Sequence, residues 1–529
     1  MADLSTFKRP QAPYCGFEVG ADGVWRMVSG PPMVMVSAPT ETGKTRRLFA
    51  QNAVLWGASP VVVVNSKDDL MQLIEQRRDG PSAVIDLRPI EDAVYPPGVV
   101  PMSFDPTKGI TNEAEALTVA ETIMQMSAVG VGSSTDSVTD GGIWELQAAS
   151  PLAALLFAAR PEEHGGNGEG IEWVLLAASD LDVEGEPGRP SWETAIDFAE
   201  TAAIREDIGR ILAMDAKQRD SVALTVTKAI RPWLRTSIRK GETPRGFIPE
   251  FLDQDYATLH ILAPADGTVA GAAVSLIDSL IRRWREKTAR REKFRRLLIL
   301  IDEWPNTAPI PPMDRYVGEG RGLGVNIMAA VQNAAQLKKV YGVNYHEVLE
   351  KIFPASLLLH GAIERELLEL AVFAAGLTNR RTESFTQHDS HRTLSSVFGN
   401  LFEAQELLSP DKEHARLLMP GAPGGKLVRI PDWSEFVRMY DRQRDLIKAN
   451  GGKPLDPPRG RTVSRGPLKW ASGLAACFVG SLWFTATVVG GLFHHVLGGL
   501  AAVPATAITA TEYFIGPHEG KAEHDDTGK

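Results

Sequence analysis

Short, continuous apolar runs alternate with helical stretches on both sides of a long middle that is poor in strand signals. The runs are Val34-Met35-Val36, Val61-Val62-Val63-Val64, Ala83-Val84-Ile85, Thr258-Leu259-His260-Ile261-Leu262 and Leu297-Leu298-Ile299-Leu300-Ile301. Each is strand-length, and Leu297–Ile301 is apolar throughout, the pattern of a strand buried on both faces of a parallel sheet. Helices are expected between them, through Trp56, near Leu70–Gln76 and from Gly271 to about Arg291. Further strands are expected at Gly324–Ala330 and Ala355–Leu359. Between about 110 and 240 the pattern is helical, as in Trp144–Ala159 and Trp192–Met214, so an all-α insertion is expected to split an α/β domain. The expected organisation is a preamble (1–30), the first part of the α/β domain (31–109), the insertion (110–240), the second part (241–445), a linker (446–469) that includes the Pro/Gly-rich Asn450–Pro458, an apolar segment (470–515) and a polar tail (516–529).

The first apolar run ends in a turn with a specific composition: Ala38-Pro39-Thr40-Glu41-Thr42-Gly43-Lys44-Thr45. A strand followed by such a loop and a helix is the context of a phosphate-binding loop. Gly43 lets the backbone approach phosphate oxygens, Lys44 reaches the β/γ-phosphates, and the Thr45 hydroxyl ligates Mg²⁺. The helix beginning near Thr45 adds its positive end. Ala38 stands where the G-x-x-x-x-G-K-[ST] pattern has its first glycine, which an alanine can replace if its φ stays negative.

A second signal lies far downstream, where the run Leu297–Ile301 ends in Asp302-Glu303. Open α/β sheets bind ligands at the carboxyl ends of their strands. Asp302 is placed to hold Mg²⁺, and Glu303 to polarise an attacking water. Together the two motifs make ATP with Mg²⁺ the expected ligand.

Composition changes this picture little, but the C-terminal end adds to it. The 529-residue chain has a net charge of −10 and hence no global attraction for nucleic acid. Its two cysteines, Cys15 and Cys477, suggest neither a disulfide framework nor a zinc site. The N-terminus has no apolar signal-peptide region, so the catalytic part is expected in the cytoplasm. Trp470–Phe493 is a stretch of 24 residues without a charge, preceded by Arg459, Arg461, Arg465 and Lys469. This is a candidate transmembrane helix with its N-terminal side cytoplasmic. The weaker stretch Val496–Ala510, interrupted by Pro504, is either a second span making a hairpin or an interfacial segment.

Several ordered motifs carry a family resemblance. They are Ala38–Thr45, Val64-Asn65-Ser66-Lys67-Asp68-Asp69-Leu70, Ile143-Trp144-Glu145, Leu300-Ile301-Asp302-Glu303, Gly320-Arg321-Gly322-Leu323-Gly324-Val325, Ala330-Val331-Gln332-Asn333-Ala334-Ala335-Gln336-Leu337, Tyr341-Gly342, Arg381-Thr382-Glu383-Ser384 and Met419-Pro420-Gly421. Over residues 31 to about 435 the chain resembles the type IV secretion coupling proteins of the TraG/TraD kind, ring-forming ATPases that feed DNA into a conjugation channel. The resemblance implies a RecA-like P-loop NTPase sheet and a homo-oligomeric ring, expected to be a hexamer. It also implies DNA, relaxase or relaxosome proteins and secretion-channel components as partners, at the cell membrane.

The resemblance also implies residue roles. Arg321 resembles the family's arginine finger, which acts on a nucleotide in the neighbouring subunit. Gln332 resembles the strand-end glutamine that senses the γ-phosphate. Lys67 is a candidate contact to DNA or a neighbouring subunit and equally a solvated lysine. Asn65 stands where the family usually has aspartate, and the clear membrane segment is C-terminal where the family usually carries N-terminal helices. The basic run Arg282–Arg296 is interleaved with acids and reads as the solvated face of an outer helix. Two functions follow: an ATP-hydrolysing DNA translocase, or a non-hydrolysing membrane receptor that docks secreted proteins. A different DNA-pumping ATPase of the same superfamily is a further form of the first.

Overall fold

The computed structural model describes residues 2–3, 12–21, 23–90, 92–128, 141–181, 188–237, 244–311, 313–342, 351–385 and 392–449. Eight neighbouring strands form the parallel heart of a larger sheet. In spatial order they are Ser356–Leu359, Met33–Ser37, Val325–Val331, Leu297–Ile301, Val61–Asn65, Thr258–Leu262, Ser82–Asp86 and Val99–Ser103. The phosphate-loop strand and the strand ending before Asp302 are thus separated by one strand, the one ending before Gln332.

Successive residues of a strand point to opposite faces, and the central strands are apolar on both. Met33, Met35, Val62, Val64, Ile299 and Ile301 join one core cluster. Val34, Val36, Val61, Val63, Leu298 and Leu300 join the other. This double burial explains the unbroken apolar runs.

The first face is covered by the helix Ala270–Ala289 and by the helical middle of the chain. Ala273, Leu276, Ile277, Leu280, Ile281 and Trp284 form the buried stripe of Ala270–Ala289, at helical spacing. Between 110 and 240 the described residues form helices and no strand, including Glu113–Ala128, Gly141–Ala158 and Ala216–Ser237. The stretch expected as one helical run over Trp192–Met214 is two helices, Trp192–Phe198 and Ala202–Leu212. The helical middle shares its core with the sheet, because residues such as Leu152, Leu156 and Trp173 belong to the same apolar cluster as Met33 and Ile299.

The second face is covered by the helical segment Thr45–Leu55 and by Trp433–Ala449. Here the expected boundaries are corrected. The preamble is part of the sheet: Tyr14–Val19 and Trp25–Ser29 pair antiparallel and extend it through Lys426–Arg429 and His414–Leu418. Tyr14, Cys15 and Phe17 are buried, which pins this edge to the core. The start of the expected linker is helical to Ala449, in a helix whose Trp433 and Phe436 pack into the core. A separate antiparallel pair, Leu377–Phe385 with Arg392–Asn400, was not foreseen.

Among the described residues no helix is long and apolar enough to cross a membrane. The candidate span Trp470–Phe493 and the stretch Val496–Ala510 lie outside them.

Candidate nucleotide site

The sheet gathers the predicted motifs at one edge. Because the strands are parallel, Ser37, Asn65, Ile301, Val331 and Leu359 all lie at the carboxyl ends of their strands. The residues that follow them, Ala38–Thr45, Ser66, Asp302-Glu303, Gln332 and Glu364, therefore converge.

The phosphate loop is built by local backbone demands. Gly43 has φ +86°, a left-handed conformation that glycine adopts without strain. Its carbonyl accepts from the Arg47 N–H at 2.8 Å, which starts the helix. The Thr42 hydroxyl donates to the Pro39 carbonyl at 2.8 Å and closes the turn. Ala38 is buried, and its φ is not positive. Alanine in place of the first glycine is thus free of backbone strain. Its N–H donates to the Val331 carbonyl at 2.9 Å, which ties the loop to the strand that ends before Gln332.

Lys44 and Asp302 are both buried, and Lys44 Nζ lies 3.1 Å from Asp302 Oδ1. The Thr45 hydroxyl donates to Asp302 Oδ2 at 3.3 Å. Burial pushes the Asp302 carboxyl up from its ordinary range, aided by the neighbouring Glu303 charge, while Lys44 and the Thr45 hydroxyl pull it down. A hydroxyl and a carboxylate side by side are hard oxygen donors, the chemistry of a small divalent cation that keeps part of its water shell. The buried Asp302 Oδ1 receives no well-directed hydrogen bond, so a lone-pair direction is open to such an ion.

Glu303 has φ +53°, uncommon for a residue with a side chain. Strain of this kind is found where a side chain must be aimed. Its Oε1 lies 3.5 Å from Gln332 Nε2, and its Oε2 lies 3.5 Å from the Ser66 hydroxyl. These contacts are long, so the carboxylate retains capacity to accept from a water. The Gln332 N–H donates to Gln336 Oε1 at 3.0 Å.

The turn that carries Arg321 lies away from this group within its own chain. Its turn, Gly320–Leu323, precedes the seven-residue strand Val325–Val331, whereas the site follows that strand. At about 3.3 Å per residue the turn lies on the order of 20 Å from the site, at the opposite edge of the sheet.

Asn65 has a local structural task. Its Oδ1 accepts from the Ser66 N–H at 2.8 Å, and its Nδ2 donates to Asp69 Oδ1 at 3.1 Å. It thereby fixes the turn into the helix Asp69–Glu75. Lys67 is exposed.

The basic run is paired with acids, as its interleaved pattern suggests. Arg282 meets Asp278, Arg283 meets Glu250 and Asp253, Arg285 meets Glu319, and Arg295 meets Asp255. Its charge is largely spent within the chain rather than offered to a polyanion.

Sequence reasoning missed Ser66 and Glu364. Ser66 lies within a quoted motif, but nothing in the motif marks its hydroxyl. Glu364 is a strand-end acid in an unremarked segment, and only its position after an apolar run hinted at the site.

The family model described as Type IV secretory system Conjugative DNA transfer matches residues 3–413. Among solved structures, the unbound monoclinic form of the bacterial conjugative coupling protein TrwBdeltaN70 is similar, with 16% identity, 81% of this chain and 90% of that chain covered, and a TM-score of 0.50. The plasmid coupling protein TrwB in complex with the non-hydrolysable ATP analogue ADPNP matches with 17% identity, 81% and 91% coverage, and a TM-score of 0.51. VirB4 of Thermoanaerobacter pseudethanolicus matches with 12% identity, 80% and 96% coverage, and a TM-score of 0.43. No match was found among curated protein sequences. At these identities the two TrwB structures speak to the fold alone, the mixed α/β architecture with a large, mainly parallel sheet.

Proposed function

The chain belongs to the type IV secretory system conjugative DNA transfer family, and from that premise we propose that it is an ATP-hydrolysing coupling protein. In this reading it delivers DNA, with bound relaxase, into a type IV secretion channel and pumps it. The observation that carries the reading is the meeting of Lys44, Thr45 and Asp302 from segments more than 250 positions apart. A phosphate loop that shares its cation donors with a strand-end acid suits a nucleoside triphosphate with Mg²⁺. A TrwB structure in complex with an ATP analogue supports the same ligand.

In this site Lys44 binds the β/γ-phosphates, and Thr45 with Asp302 would hold Mg²⁺, which when bound neutralises phosphate charge. Glu303 orients and polarises the attacking water, with Gln332 beside it to sense the γ-phosphate. Arg321 acts on the nucleotide of a neighbouring subunit, which suits its position at the far edge of its own sheet. A ring follows from that sharing, a hexamer in keeping with the family. Ala38 and Asn65, the two departures from the expected motifs, are what would favour a non-hydrolysing receptor. Ala38 is free of positive φ and Asn65 serves a turn, so neither favours it. Anchoring through Trp470–Phe493, with the catalytic part cytoplasmic, completes the proposal.

The test is conjugative transfer by host cells carrying either the wild-type chain or Lys44→Ala as their only coupling protein. Transfer should be lost in the variant. Equal transfer from both overturns the ATP-driven function.

A further inference from the structure

Glu364 is an acid with no role in the mechanism above, yet it is only 6% exposed and faces the site. It occupies the position just before the helix Arg365–Ala375, but its side chain does not cap that helix. A side chain there ordinarily serves its own helix by accepting from the first N–H groups. Instead the Glu364 carboxylate accepts from the Ser37 hydroxyl, and Oε1 also accepts from the Ala334 N–H at 3.1 Å.

These two donors belong to the two halves of the site. Ser37 is the last residue before the phosphate loop, on a strand whose partners include both the Gln332 strand and Ser356–Leu359. Ala334 is the first residue of the helix Ala334–Tyr341, two positions after Gln332. The same helix supplies Gln336, whose amide oxygen receives the Gln332 N–H. One buried carboxylate oxygen therefore joins the root of the phosphate loop to the helix that fixes the Gln332 backbone. A buried carboxylate lacking donors is costly, so the pairing is strongly specified.

We propose that Glu364 is a positioning residue that keeps Gln332 in register with the phosphate loop; the catalytic consequence rests on the hydrolytic function above. Glu364 touches no reacting atom. It acts through the Ala334 N–H and the Ser37 hydroxyl, and its loss lets Gln332 drift from Glu303.

The experiment compares the full-length wild type, Glu364→Ala and Glu364→Gln in ATP turnover, affinity for a non-hydrolysable ATP analogue, and amide hydrogen exchange at Ala334. Glu364→Ala should lower kcat by about 10- to 100-fold, the scale of a small misplacement near the reacting centre. Its analogue affinity should stay within about twofold, since Lys44 and Thr45 are untouched. Glu364→Gln should recover most of the turnover, because an amide oxygen can accept both bonds. Ala334 should exchange faster in Glu364→Ala and near the wild-type rate in Glu364→Gln. Ser37→Ala removes one donor and should give a smaller loss, which keeps the test open if Glu364→Ala does not fold. Unchanged kcat in Glu364→Ala, or equal losses of kcat and affinity without rescue by Glu364→Gln, overturns the proposal. If the wild type itself does not hydrolyse ATP, the hydrolytic reading fails. The exchange rate at Ala334 then still decides the positioning claim, and an unchanged rate in Glu364→Ala contradicts it.

Discussion

Glu303 and Gln332 end adjacent parallel strands, and their side chains face each other with Oε1 and Nε2 3.5 Å apart. Neither contact of the Glu303 carboxylate is short, and its backbone is held in the left-handed region. This is an acid aimed at a place between strands rather than one engaged in a structural ion pair.

Glu303→Gln should therefore abolish ATP turnover while retaining nucleotide binding. The amide keeps the shape but cannot take a proton from water, and loss of a general base costs about 10²- to 10⁴-fold. Lys44→Ala should lose both turnover and affinity, because phosphate contacts vanish with it. Equilibrium binding beside steady-state turnover separates the two variants. Normal turnover in Glu303→Gln removes that residue from the catalytic role.

The location of the Gly320–Leu323 turn leads to a prediction about assembly. A Lys44→Ala subunit still offers Arg321, and an Arg321→Ala subunit still offers an intact phosphate loop. Mixing the two inactive variants should restore turnover at the mixed interfaces, since an arginine acting in trans contributes about 10³- to 10⁵-fold. If the mixture co-assembles and stays inactive, Arg321 does not act across subunits.

Much of this site was legible because its chemistry follows strand ends. The runs Val61–Val64 and Leu297–Ile301 correspond closely to strands, since double burial leaves them no polar position, and Thr258–Leu262 matches its strand although it buries Thr258 and His260. What was not legible depends on pairing over long sequence distance. Tyr14–Val19 reads as part of a preamble because it joins the large sheet only through the distant pairing of Phe17 with Arg429. Glu364 was hidden for the same reason: its partners Ser37 and Ala334 are close only after the sheet has formed.

Cys15 provides a chemical probe of that N-terminal strand. Burial pushes its thiol up from an ordinary value of 9.0 to about 12. At pH 8 the folded protein then holds far less reactive thiolate than an exposed cysteine, and burial blocks access as well. In a Cys477→Ser background, thiol labelling at pH 8 should be negligible until denaturant is added. Between about pH 9 and 12 the unfolded thiol ionises while the folded one keeps its proton, so Cys15 lowers stability as pH rises. Rapid labelling under native conditions contradicts the buried strand.

The uncharged stretch Trp470–Phe493 and its basic flank predict behaviour on fractionation. The full-length protein should partition with membranes and need detergent for extraction. Removal of residues 466–529 should release it. Full-length protein that is soluble without detergent rules out the anchor.

The most direct measurement is ATP turnover by the purified full-length protein, in detergent with Mg²⁺, without DNA and with single- or double-stranded DNA. Turnover should rise with DNA and vanish in Lys44→Ala, and the stimulation should weaken with added salt because DNA contacts release counterions. Protein that binds the nucleotide but does not hydrolyse it under any of these conditions contradicts the motor and favours a docking receptor.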